Sequence, residues 1–199
     1  MVFKKKILNL LPPIAFYWRI MLVCIVFLTF SPSFVPAVFS QQPGIASEGE
    51  IKAAFIYNFI KFVEWPAPVF STAGQRIVIC VLGQDGVTRA LEKVSGKIAQ
   101  GRTISVKHAV DQSELAHFHV LYIGQSEKDR ARSLIKEIPR HVLTISDMQS
   151  FAASGGMINF STAEKKISFV INLNAVERAG LKFSSQVLRL ARIVKETGY

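Results

Sequence analysis

Residues Arg76–Leu82 read RIVICVL and run straight into Gly83. Beyond Arg76 every side chain is apolar and most are β-branched, so neither face of an extended segment is left for water. Such a run predicts a strand buried on both faces, in the middle of an α/β sheet. Gly83-Gln84-Asp85-Gly86 then turns the chain into a helix over Val87–Val94, with Asp85 as N-cap, Leu91 on the buried side and Gly96 as the stop.

The alternation continues downstream. Arg102–Lys107 (RTISVK) has the period-two pattern of a half-exposed strand, and His119–Ile123 (HVLYI) is again nearly all apolar before Gly124. Ser126 is placed to cap a helix over Glu127–Ile138, with Ala131, Leu134, Ile135 and Ile138 facing inward and Pro139 closing it. His141–Ile145 (HVLTI) is a third buried strand, and Ser146 or Asp147 is placed to cap a short helix over Met148–Ala153. Strand, helix, strand in this order predicts parallel pairing with right-handed crossovers.

The pattern changes at Gly155-Gly156. Met157–Phe160 and the alternating Ile167, Phe169, Ile171 and Leu173 predict a β-hairpin, an antiparallel edge on the sheet. Asn174 and Glu177 have capping-box spacing for a short helix stopped at Gly180, and Ser184 starts a last helix over Ser185–Glu196 with Val187, Leu190, Ala191 and Val194 on one face. The predicted class is α/β, a three-layer sandwich with a mostly parallel central sheet, an antiparallel C-terminal hairpin and flanking helices.

Upstream of the first strand, Ile51–Pro66 (IKAAFIYNFIKFVEWP) places Ile51, Ala54, Phe55, Asn58, Phe59 and Phe62 at helical spacing, with Lys52 and Lys61 off that stripe. Ser47 or Glu48 is the expected cap, and Trp65-Pro66 the stop. Before it, Met1–Ser40 has a basic start (Lys4, Lys5, Lys6, Arg19), an apolar run Ile20–Phe30 and Val38-Phe39-Ser40 at its end, the succession of a secretory signal. The expected organisation is a signal peptide over 1–40, a flexible leader over 41–49 and one domain over 50–199.

Removing the signal takes four of the 24 basic residues and none of the 14 acidic ones, so 20 against 14 leaves a formal +6 in place of +10. That balance, spread along an exported chain, points to anionic surfaces or ligands and not to nucleic acid. Cys24 leaves with the signal, Cys80 stays alone and no internal disulfide can form. Cys80 lies in an apolar strand and is expected to be buried and inert.

No constellation names a chemistry. Gly83–Gly86 matches neither a dinucleotide nor a phosphate-loop spacing, and an ordinary turn is expected there. His117 and His119 share a face of an extended segment without a third ligand, so structural histidines are expected. His108, Asp111 and Ser113 are too close in sequence for a triad, whose members converge from separate elements. Neither cofactor nor metal is expected, and no nucleophile, base and orienter can be named together.

Taken together, FIYNFIKFVEWP, IVICVLGQDG, Gly101-Arg102, VLYIG, VLTISDM, GGMINF with ISFVINL, and LKFSSQVLRLARIV resemble the YfiR-like family across Ile51–Val194. The resemblance implies a periplasmic regulator that binds the periplasmic domain of an inner-membrane diguanylate cyclase, represses it, and lowers cyclic-di-GMP and biofilm formation. It also implies a homodimer. Relatives of the best-known type carry several cysteines in the mature domain; with Cys80 alone, a disulfide switch does not carry over.

Confinement to the periplasm means that such a protein acts by biasing a membrane-spanning partner, and two surfaces are candidates for the contact. These are the first helix through Asn58, Lys61 and Trp65, and the C-terminal segment through Lys182, Arg189 and Arg192. Arginine suits interfacial carboxylates and tryptophan an anchoring pocket. A second reading is a periplasmic sensor for a small molecule, with a pocket at the carboxyl ends of the strands near Gly83, Gly124 and Ser146.

Overall fold

The computed structural model describes residues 46–194 apart from 71, 73, 109–116 and 165. The expected signal and residues 41–45 of the leader therefore lie outside the described residues, as do Asp111 and Ser113. Along β2 (Ile77–Leu82) side chains alternate between two separate apolar clusters, Ile77, Ile79 and Val81 joining one and Val78, Cys80 and Leu82 the other. A strand with a core on each side is the middle layer of three.

β2 pairs in parallel with β4 (Arg102–His108) and with β5 (Val120–Ile123), followed by β6 (Leu143–Ser146) and β7 (Ile158–Ala163), all parallel. β8 (Lys166–Asn172) returns antiparallel to β7, and β3 (Ile98–Ala99) lies antiparallel on β4 at the far edge. The order is β10-β8-β7-β6-β5-β2-β4-β3, where β10 is Arg192–Val194. One face is covered by α1 (Glu48–Phe62), α2 (Gly86–Glu92), α4 (Leu173–Arg178) and α5 (Ser185–Leu190). The other is covered by α3 (Lys128–Glu137) with Met148 and Phe151. The three-layer, mostly parallel α/β architecture is as expected. Among the described residues no helix is long and apolar enough to cross a membrane.

Four local expectations are corrected. The buried face of α1 is Lys52, Ala53, Ile56, Phe59 and Ile60; Ala54 and Asn58 are exposed, and Ile51 and Phe62 are more than a third exposed. Apolar groups run almost all round this helix, so periodicity could not choose the face. Lys52 chooses it: its Nζ lies 2.6 Å from Glu48 Oε1 and 2.9 Å from Asp147 Oδ2 at the end of β6. Burial works against the ammonium, but these two partners outweigh it and raise the Lys52 pKa.

The predicted last helix ends at Leu190, because the chain there becomes β10 and adds beside β8 in parallel. The hairpin is consequently not a bare edge: its outer strand is paired from within the chain over Val170–Asn172. Residues 148–153 form turns, with Ser146 Oγ accepting from Met148 N at 3.0 Å, and no helix. Finally, the caps shift by a residue or two. Asn172, not Asn174, caps α4 by accepting from Ala175 N, and α3 starts from the turn Gln125–Glu127 without a bond from Ser126.

Candidate functional site

α1 begins with a full capping box, Ser47 accepting from Glu50 N and Glu50 reaching back to Ser47 N. Lys93 and Ser47 hold the Glu50 carboxyl down to a pKa of about 2. At the other end the Gln100 amide donates to the carbonyls of Ile60 and Val63 at 2.7 and 2.6 Å, satisfying groups a helix C-terminus leaves open. The chain then leaves the helix two residues before Trp65. Val63–Glu64 (β1) pairs antiparallel with Lys182–Phe183 (β9), and Ser184 N donates to Phe62 O at 3.1 Å. This ribbon brings the two predicted surfaces, far apart in sequence, side by side.

Between them lies an open groove of about 200 Å³ lined by Phe55, Asn58, Phe62, Phe169, Gln186 and Leu190. Its floor is a phenylalanine cluster: Phe59 packs edge-on to Phe169 at 4.9 Å and stacks on Phe160 at 5.9 Å, while Phe55 tilts against Phe169 at 5.5 Å. Val187 buries and anchors α5, which leaves Leu190 72% exposed beside Phe62 at 36%. A mostly exposed leucine beside a partly exposed phenylalanine, over an aromatic floor, is the feature of this surface that packing alone does not require.

The six predicted residues separate into three groups. Asn58 lines the groove, and exposed Lys61, Lys182 and Arg189 belong to the segments that frame it. The Lys61 ammonium sits 5.6 Å from the centroids of both Tyr57 and Phe62. Trp65 is half-buried, edge-on to Phe70 at 5.7 Å, with its indole N–H buried and unbonded. Arg192 lies on β10 and lines a different cleft. Sequence reasoning missed Phe62 and Leu190 as surface groups because both fell on assumed core stripes. The signal that could have found Phe62 is the excess of apolar residues around α1, more than one buried face can use.

The remaining candidates are structural. His119 Nδ1 accepts from Val78 N at 3.1 Å and its ring stacks on Phe70 at 4.7 Å. Burial, with His141 and Arg102 nearby, lowers its pKa to about 4. At the Gly83–Gly86 turn, Asp85 caps α2 through Thr88 N at 2.8 Å and accepts from Tyr122 Oη at 2.9 Å, so a carboxylate already occupies the turn. Cys80 is fully buried. Among the described residues no three His, Cys, Asp or Glu side chains are grouped to hold a metal ion.

Among solved structures, the chain is similar to a conserved domain protein from Vibrio cholerae, with 13% identity over 75% of this chain and a TM-score of 0.53. It spans 60% of that protein's length. A more remote likeness, with 9% identity and a TM-score of 0.44, is to an ABC domain from Streptococcus pneumonia in complex with L-Trp; it covers 60% of this chain and 55% of that one. The first of these likenesses is one of fold. The model of the YfiR/HmsC-like family matches residues 49–192, nearly all of the described domain and well over half of the chain, and the protein belongs to that family.

Proposed function

We propose that this protein is an exported regulator that represses a transmembrane diguanylate cyclase by docking on its periplasmic domain. Membership of the family supports the class of partner. The observation that carries the contact is the apolar groove of Phe55, Phe62 and Leu190, framed by segments bearing Lys61, Lys182 and Arg189. An apolar centre with a cationic rim fits a segment presenting apolar side chains flanked by carboxylates, and such a segment of the cyclase is the occupant proposed. Binding that favours the inactive arrangement of the cyclase lowers cyclic-di-GMP without chemistry on this chain.

The test is co-purification from detergent-solubilised membranes, using the protein as bait. The wild type retains the cyclase. Phe62→Asp with Leu190→Asp, verified as folded by circular dichroism, loses it, and Lys182→Glu with Arg189→Glu weakens it in a salt-dependent way. Retention of the cyclase by both double variants would remove this surface from the contact.

A further inference from the structure

A second site lies at the carboxyl ends of β5 and β6, where open α/β sheets place their ligands. It is a cleft of about 600 Å³, within the range of small-molecule sites and three times the volume of the groove on α1, with which it shares no lining residue. Gln125 follows β5, Asp147 follows β6, Glu48 and Lys52 come from the first turns of α1, and Arg192 enters from β10. Of the pocket expected near Gly83, Gly124 and Ser146, the cleft has neighbours of the last two, Gln125 and Asp147, and nothing from the Gly83 turn.

The lining of the cleft carries charges of both signs. Glu48, Asp147 and buried Lys52 form one hydrogen-bonded cluster with a net charge of minus one. Asp147 Oδ1 in that cluster is closed off from solvent, and the Asp147 carboxylate also acts on the buried Tyr122 hydroxyl. Arg192 supplies plus one and, among the described residues, makes no ion pair. The rest of the lining mixes amides and hydroxyls, including Gln149, Asn159 and Ser161, with apolar groups such as Phe160 and Val170. Ser150, also in the wall, holds a left-handed φ of 63°, a conformation a non-glycine residue keeps only where its surroundings impose it.

We propose that this cleft binds a short polar peptide with free termini, of two or three residues. The ligand's ammonium meets the carboxylates of Glu48 and Asp147, which outnumber Lys52, its carboxylate meets the Arg192 guanidinium, and its peptide groups face the amides and hydroxyls of the lining. A dianion would oppose Glu48 and Asp147, and a diamine would oppose Arg192. The volume exceeds what a single small amino acid fills.

The probes are alanyl-alanine and trialanine, each also N-acetylated or C-amidated, with succinate and 1,4-diaminobutane as controls, titrated calorimetrically into the purified protein. The expected result is saturable binding of a free peptide, weakened at least about tenfold by blocking either end. Arg192→Ala, an exposed edge position that leaves the fold intact, is expected to weaken the free peptide to the level of the amidated one and to leave the amidated one unchanged. The proposal is overturned by no saturable binding of either peptide, by tighter binding of succinate or the diamine, or by binding indifferent to Arg192→Ala. None of these measurements involves the cyclase, so they stand or fall separately from the docking surface.

Discussion

Replacing Lys52 by methionine should be the most destabilising single change at a charged residue of this domain. Methionine keeps most of the buried stem, so the loss is that of the ammonium. Its removal strands Asp147, whose side chain is 13% exposed and whose Oδ1 is closed off from solvent. Stranding a buried partner of this kind costs about 3–5 kcal/mol. Glu48 is half exposed, turns to water and adds under about 1 kcal/mol. For a domain of this size that corresponds to a fall in Tm of about 6–20 °C. Lys52→Met with Asp147→Leu removes both charges and should recover all but about 1 kcal/mol, because an apolar pair of similar volume carries no desolvation debt. Urea unfolding followed by circular dichroism for the four members of the cycle measures the coupling, expected at about 2 kcal/mol or more. If Lys52→Met alone costs under about 1 kcal/mol, or the two changes simply add, the pair does not fix the face of α1 and the reasoning fails.

Stability should also fall on mild acidification. His119 is neutral in the fold down to about pH 4 and protonates near 6.5 when unfolded, so the unfolded chain binds the extra proton. The contribution is whole above pH 6.5 and is lost as pH falls toward 4, by at most about 3 kcal/mol. His141, also lowered by burial, adds in the same sense. Urea midpoints at two pH values, with His119→Asn flattening the slope, check this. Gly49→Ala should destabilise, although alanine is the better helix former by about 1 kcal/mol. A Cβ at Gly49 would stand 2.4 Å from Gly86 O, a backbone atom, and would force α1 and α2 apart, which a chemical-denaturation midpoint below wild type would register. Mass spectrometry of the periplasmic fraction should find a chain lacking about the first 40 residues, the segment with signal-peptide character.

The middle layer was legible in the sequence because a strand buried on both faces has a composition that few other structures tolerate. RIVICVL, HVLYI and HVLTI all became parallel neighbours in the core of the sheet. The orientation of α1 was not legible, since Ile51, Phe55, Ile56, Phe59, Ile60 and Phe62 offer more than one plausible inner face and only the distant Asp147 selects among them. The C-terminal segment misled for a related reason. Ser185–Leu190 and Arg192–Val194 form one continuous helical pattern, and the free edge of β8 captures the second half as a strand, a tertiary pairing that local periodicity does not encode. Of the site, Lys61, Lys182 and Arg189 were legible as exposed polar groups, whereas Asn58, Phe62 and Leu190, all placed on assumed core stripes, became visible as surface groups only once the core was known to exclude them.

The central claim is repression through the groove on α1, and cyclic-di-GMP measured in intact cells tests it most directly. Deleting the gene should raise cyclic-di-GMP and surface attachment, and the wild-type gene should restore both. The Phe62→Asp, Leu190→Asp variant, verified as folded and exported, should leave them high. Unchanged cyclic-di-GMP on deletion, or full restoration by that variant, would contradict the account.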